Sequence, residues 1–284
     1  MIVIGIFQMK INLVSVIGHN SKIIPHWYNH YKDIVDDIYV IVYLTDDDTS
    51  IISTLDELGI TPHRIVRSPK FHWEEVTRLY NETKMEKPDE WWVVADNDEL
   101  HLYPTDLKSM IVECEQNGWE FITGGFIDRI GKDGYFPHIT NQSIWQTFPL
   151  GGFFRYPLSG ACPNKVCVMK GNIKVTSGQH YARIDEKTVW GVEGTKHPLR
   201  YPIDKGFIQV HHFKWDSSSI DRLHEVSNIK EDYTFWWEYE KMYKSVKDTK
   251  QIDITNKDFM LEKIFRNFND YTKWKQLTTK IIQI

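Results

Sequence analysis

The densest candidate chemistry in the chain lies in residues 91–100, WWVVADNDEL. An apolar run there ends in Asp96, Asn97, Asp98 and Glu99. In an extended backbone, residues i and i+2 point to the same face. Asp96 and Asp98 are therefore expected to present two carboxylates side by side where a buried strand leaves its sheet. Open α/β sheets bind ligands beyond the carboxyl ends of their strands. Two hard oxygen donors at such an edge suit Mg²⁺ or Mn²⁺, which keep positions open for substrate phosphates. Asp-x-Asp alone is more often a solvated or helix-capping turn. The strand before it and a second aspartate cluster, Asp46 to Asp48 after another β-branched run, favour the chemical reading. An EF-hand is excluded because the downstream Gly and Glu of the calcium loop are missing. Further along, VHHFKW (residues 210–215) offers His211 and His212, which face opposite ways on a strand.

The elements that must carry these side chains are legible as alternating patterns. Residues 11–18 form a short apolar run ending in Gly18, and residues 38–44 a second one. Between them, Ser21 is placed to cap a helix whose Ile24, Trp27, Tyr31 and Ile34 recur at helical spacing. Ile51, Ile52, Leu55 and Leu58 predict another helix, ended by Gly59. Ile65 and Val66 suggest a short strand, and Trp73, Val76, Leu79 and Tyr80 one face of a third helix. Such alternation predicts a mainly parallel sheet covered by helices on both faces. Pro104 opens a helix to about residue 115, and residues 119–127 read as a strand. Residues 128–164 are rich in Gly, Pro and aromatics without periodicity, the texture of a functional loop region. The pairs Gly124-Gly125 and Gly151-Gly152 are expected to give turns or loop mobility. Strands are predicted over 165–169 and 207–213. From about residue 219 the tail is helical and aromatic, with Tyr233, Trp236, Trp237, Tyr239 and Tyr243, then Phe259, Ile264, Phe265 and Phe268.

Composition limits the classes of function. The 284 residues carry 34 basic and 39 acidic side chains, a net charge of −5, so no global basic field invites a nucleic-acid backbone. The longest apolar run, residues 2–7, is far short of the ~20 residues of a membrane span, and no secretory signal pattern is present. Three cysteines (114, 162 and 167) without zinc-site spacing or a neighbouring base fit a reduced, cytoplasmic setting. Eleven Trp in an aromatic content of 14% are many for this length; such rings more often fill a core, and the excess is only a weak pointer to sugar or base stacking.

In combination, four patches resemble the GT-A glycosyltransferases, specifically family-2-like bacterial and viral members. LVSVIGHN (13–20), with the following His26, Trp27, Tyr28, Asn29, His30 and Tyr31, resembles their first strand and helix. Residues 91–100 resemble their metal-binding Asp-x-Asp-Glu segment. FIDRI (126–130), Asp133-Gly134, Trp145 and FPLG (148–151) resemble their acceptor-side segment. VHHFKW resembles their late histidine motif. The resemblance implies a Rossmann-like α/β fold, a mixed and mainly parallel sheet flanked by helices. It places a catalytic domain over 1–218, divided into a nucleotide-sugar half (1–100) and an acceptor half (101–218), with a helical extension over 219–284 packed on it.

The activity implied is metal-dependent transfer of a sugar from a nucleoside-diphosphate sugar to a hydroxyl of a glycan or lipid-linked acceptor, in glycan or polysaccharide synthesis. Asp96 and Asp98 match the site for Mn²⁺ or Mg²⁺ and the diphosphate, with Asp98 the more direct ligand. His212, or less favourably His211, matches the histidine that approaches the same metal. Asp46 and Asp47 sit where such enzymes contact the nucleotide base, Arg67 and Lys70 within reach of ribose or phosphate. A plain acidic turn and a solvated surface pair are the competing readings. His180 matches a late family histidine that lines the donor pocket, unless it is structural. An inverting transfer needs a carboxylate to take the acceptor proton. Asp128 is the first choice, unless it merely caps a turn, with Glu193 and Asp216 next; a retaining transfer needs none. Two other classes compete: a carbohydrate-binding protein without turnover, and a nucleotidyltransferase or nuclease, which the lack of a clear Lys/Arg cluster disfavours.

Overall fold

From residue 11 to residue 94, strands and helices form close to where the apolar spacings place them. The computed structural model describes residues 9–152, 154–162, 164–189, 197–203, 205–230, 235–256 and 262–263. β1 (Ile11–Ile17) leads through α1 (Ile24–Tyr31) to β2 (Asp37–Leu44), and α2 (Ser50–Glu57) leads on to β3 (Arg64–Arg67). α3 (Trp73–Met85) then returns the chain to β4 (Trp91–Val94), on the other side of β1. The order β4-β1-β2-β3 is parallel throughout. The direction of winding thus reverses beside β1, which leaves a crevice at the carboxyl ends of β1 and β4.

The remaining strands make the sheet mixed. β5 (Glu99–Leu102), α4 (Leu107–Asn117) and β6 (Phe121–Ile130) precede α5 (Ile144–Thr147) and β7 (Leu150–Gly152). α6 (Arg155–Ser159) then leads to β8 (Asn164–Lys170), which pairs antiparallel with both β4 and β6. β9 (Lys174–Val175), β10 (Ala182–Ile184) and β11 (Lys187–Thr188) form a small separate sheet. β12 (Ile208–His212) lies parallel to β6 and antiparallel to β5. α7 (Ser219–Asn228), α8 (Trp236–Val246) and the short β13 (Glu262–Lys263) follow. The fold is α/β, a mixed sheet flanked by helices.

Strand alternation divides the core between two faces. Leu13, Ile17, Trp91 and Val93 pack with Trp27 and Tyr31 of α1, Ile51 and Leu55 of α2, and Ile111 of α4. Val14, Val16, Trp92 and Val94 pack with Val76, Leu79 and Tyr80 of α3 and with Met169. Both tryptophans of β4 are buried, one on each face, and full burial of a large apolar side chain contributes about 1.5–3 kcal/mol. α7 and α8 join a third cluster through Trp215, Leu223, Tyr239, Met242 and Val246.

Several sequence expectations are revised. Ser21 begins a single 3-10 turn and makes no side-chain cap; α1 starts three residues later, with Pro25 in its first turn. The helix expected at Pro104 starts at Leu107, where the Asp106 side chain accepts from Ser109 N–H. Residues 128–164 are not one long loop: β6 runs on to Ile130, and α5, β7 and α6 occupy much of the rest. The paired glycines lie in β6 and β7 instead of turns. A Cβ on Gly124 would stand 2.3 Å from the Ile208 carbonyl oxygen, so this residue permits the close approach of β12. Residues 2–7, Tyr233, Phe259, Ile264, Phe265 and Phe268 lie outside the described residues. Among the described residues, no helix is long and apolar enough to cross a membrane.

Candidate functional site

The segment after β4 is a tight turn. Glu99 N–H donates to the Asp96 carbonyl at 3.0 Å, and the chain resumes as β5. The segment is therefore a turn and not extended strand, and the two aspartates have different partners. Tyr80, buried on α3, donates to Asp96 at 2.6 Å while its oxygen accepts from Val16 N–H at 3.0 Å. Lys165 Nζ and Gln179 Nε2 approach Asp96 at 3.5 and 3.4 Å. Asp98 instead turns towards β12: its carbonyl accepts from Phe213 N–H at 2.8 Å. Its carboxylate lies 3.4 Å from His212 Nε2.

Asp98, Glu99 and His212 each offer a ligand atom, and these three atoms lie within 4.8 Å of one another. Burial alone would raise the Asp98 carboxyl, but the neighbouring His212 imidazolium holds it well below the usual range. Burial pushes Glu99 up to about 7, against the opposing pull of Lys165 2.8 Å away. Burial would lower His212, yet Asp98 and Asp128 raise it to about 9. The donor set fits a divalent cation that accepts two carboxylate oxygens and an imidazole nitrogen. The imidazole suits Mn²⁺ better than Mg²⁺, which favours oxygen donors throughout. Glu99 stands in this group where the sequence placed Asp96.

The group opens onto a cavity of about 400 Å³ at the carboxyl ends of β1 and β4. Among the described residues, the Lys and Arg side chains that line it are Arg155, Lys165, Lys214 and Arg222, from parts of the chain far apart in sequence. Burial lowers the Lys214 ammonium, which sits 4.2 Å above the Tyr239 ring. Phe71, Trp73 and Phe235 add aromatic wall, and Asp216 and Glu238 add carboxylates. Burial raises both acids.

The predicted residues are distributed unevenly over this geometry. Asp96, Asp98, His180, His212 and Asp216 all line the cavity. His211 points the other way, bonded to Gln209 and Arg129 in the core, whereas His212 lines the cavity. His180 Nδ1 bonds to the Asn164 carbonyl at 2.8 Å, and burial pushes the ring down to about 3. Asp128 is 1% exposed and lies behind His212, outside the cavity lining. Its oxygens accept from His212 Nδ1 at 3.1 Å and from Arg155 N–H at 2.8 Å, which leaves it poorly placed as an acceptor-facing base. Glu193 lies outside the described residues. Asp46, Asp47, Arg67 and Lys70 are exposed and do not line the cavity; Arg67 lies 3.8 Å from Asp47. The sequence reading missed Glu99, Arg155, Lys165, Lys214, Arg222 and Glu238. Glu99 was visible beside Asp98, but no local spacing marks the others.

No family model and no curated protein matches this chain. Among solved structures, the chain is similar to S. aureus TarS residues 1–349, at 11% identity, covering 79% of this chain and 65% of that one, with a TM-score of 0.35. It is also similar to a putative glucose-1-phosphate thymidylyltransferase from Bacillus anthracis in complex with a sucrose, at 12% identity and TM-score 0.30, covering 46% of this chain and 61% of that one. A third similarity is to 4-diphosphocytidyl-2C-methyl-D-erythritol synthase, at 12% identity and TM-score 0.33, covering 58% of this chain and 76% of that one. The matched part thus spans less than two thirds of the first two proteins' lengths. Likenesses this faint assign no activity.

Proposed function

We propose that the chain is a GT-A-type, metal-dependent glycosyltransferase that moves a sugar from a nucleoside-diphosphate sugar to an acceptor hydroxyl of a glycan or lipid-linked molecule. The observation that carries this reading is the convergence of Asp98, Glu99 and His212, within 4.8 Å, on a cavity that cations also line. In this reading Asp98, Glu99 and His212 hold Mn²⁺ or Mg²⁺, and Asp96, fixed by Tyr80, faces the donor from beside them. A divalent cation bound there would neutralise charge developing on the leaving diphosphate. Lys214, Arg155 and Arg222 extend that neutralisation across the cavity with fixed positive charge.

For an inverting transfer, the base role expected of Asp128 passes to Glu238. Asp216 accepts from Asn20 Nδ2 at 2.6 Å and from the Ser218 backbone and hydroxyl at 2.8 and 2.6 Å, and so anchors the start of α7. Glu238 faces the cavity with Arg155 3.9 Å away, and burial raises its carboxyl above the usual carboxylate value, which makes it a better proton acceptor.

A thermal-shift panel of nucleoside diphosphates and their sugars, with and without Mn²⁺, tests this reading. One nucleotide is expected to raise the melting temperature only with metal, since binding to the native state stabilises it by mass action. Asp98→Ala is expected to abolish both that shift and metal-dependent donor hydrolysis. Hydrolysis at the wild-type rate in this variant removes the metal site from the reading. Sugar binding without any donor hydrolysis in the wild type would favour the aromatic wall of Phe71, Trp73 and Phe235 as a carbohydrate-binding surface instead.

A further inference from the structure

Asp128 pairs with His212 in the parallel register of β6 and β12, and with Gly152 in the antiparallel register of β6 and β7. Gly152 adds no side chain beside it. The Asp128 carboxylate is buried, and its oxygens have separate donors: His212 Nδ1 at 3.1 Å and the backbone N–H of Arg155, at the start of α6, at 2.8 Å. On its face, the His212 ring packs against Phe126, with centroids 4.8 Å apart. With Nδ1 engaged and the ring backed by Phe126, Nε2 is the nitrogen turned to Asp98.

From this we infer that Asp128 is a positioning residue, which fixes the His212 ring with Nε2 towards Asp98 and Glu99 and ties that ring to the chain entering α6. The inference rests on the metal-site reading above and deepens it. A histidine that binds metal through one nitrogen is oriented by the acceptor on its other nitrogen, and loss of that acceptor typically weakens metal binding about 10–100-fold. The same contact joins the metal group to Arg155, whose side chain lines the cavity, so two parts of the site are set by one carboxylate.

Two substitutions separate the two contacts. Asp128→Ala removes both acceptors. Asp128→Asn keeps a carbonyl oxygen for His212 but sets an amide donor against Arg155 N–H. Mn²⁺ affinity, read by electron paramagnetic resonance of the free ion, is expected to fall about 10–100-fold in Asp128→Ala. It should stay close to wild type in Asp128→Asn. In metal-free protein, ¹⁵N resonances of the His212 ring should report a hydrogen-bonded Nδ1–H in the wild type and Asp128→Asn, and lose it in Asp128→Ala. A role confined to anchoring α6 would make Asn as damaging as Ala and leave the ring resonance unmoved; that result overturns the inference. If Asp128→Ala does not fold, the ring resonances of the metal-free wild type decide: a hydrogen-bonded Nδ1–H on His212 supports the role, and a ring without one refutes it. A wild-type protein that binds no divalent ion sinks the metal reading instead, and the ring resonances then decide for or against Asp128 by themselves.

Discussion

Glu238 and Asp216 both face the cavity, and both are raised by burial, yet they are committed differently. Asp216 is held by Asn20 and Ser218, whereas Glu238 has an ion-pair neighbour at the outer limit of contact, Arg155 at 3.9 Å. A carboxylate engaged by several donors is a weak proton acceptor, because each hydrogen bond stabilises its charged form. Glu238→Gln is therefore expected to lower the turnover of metal-dependent donor hydrolysis by about 10²–10⁴-fold, the usual contribution of general-base catalysis. Nucleotide affinity measured by calorimetry should change little. Turnover within a few fold of wild type would move the base elsewhere, with Asp216 next in line. The cations show the same dependence on context. Lys165 is raised because, against its burial, Glu99 and Asp96 surround it, whereas Lys214 is lowered because burial outweighs its nearby acids.

β6 and β12 are the elements on which the histidine depends. Their parallel pairing sets His212 beside Asp128, and it requires Gly124, where a Cβ would meet the Ile208 carbonyl oxygen at 2.3 Å and Cys167 Sγ at 2.8 Å. The Ile208 carbonyl oxygen is backbone and cannot turn aside, so the strands must part to admit a methyl group. Gly124→Ala is expected to cost about 1–3 kcal/mol by overpacking, measured as a lower urea midpoint. It should also weaken Mn²⁺ binding, because β12 carries His212 at its end. An unchanged midpoint with unchanged metal affinity would show that the pairing has slack. α7 and α8 matter for the same reason: they supply Arg222, Glu238 and Tyr239 to a cavity whose other walls come from the sheet. The C-terminal helices thus take part in the site as well as packing beside it.

Across the molecule, buried charge gives stability a pH dependence. Lys84 is fully buried on α3; its ammonium donates to the Ile173 carbonyl and lies 3.1 Å from Met169 Sδ. Burial lowers it from 10.5 to about 7. Between those values the unfolded chain binds the proton and the folded chain does not, so this group makes stability rise with pH. Below about pH 7 both states are protonated and the penalty is complete. His212 acts in the opposite direction: it is raised to about 9, so its stabilisation is complete below its unfolded value of 6.5 and is lost as pH rises to about 9. Lys84→Met is expected to stabilise the protein most at and below neutral pH, the advantage shrinking towards alkaline pH. Urea unfolding of the wild type and variant at matched pH values checks this, and a pH-independent difference would place the charge of Lys84 elsewhere than the interior.

Most of the parallel half of the sheet was readable because β1, β4 and the end of β2 are buried on both faces, which writes a nearly continuous apolar run, while each helix writes its own 3.6-residue stripe. Those local periods also located Asp96, Asp98 and the histidine pair. Residues 128–164 were not readable: β7 is three residues long and α6 five, too short for a period to show. Whether Asp96 or Glu99 joins Asp98 and His212 depended on a turn closed by a single backbone hydrogen bond. The cation-lined cavity was beyond local reading altogether. Arg155, Lys165, Lys214 and Arg222 meet only because α6, β8 and the segment after β12 are brought to one sheet edge, and charge gathered by tertiary packing leaves no spacing in the chain.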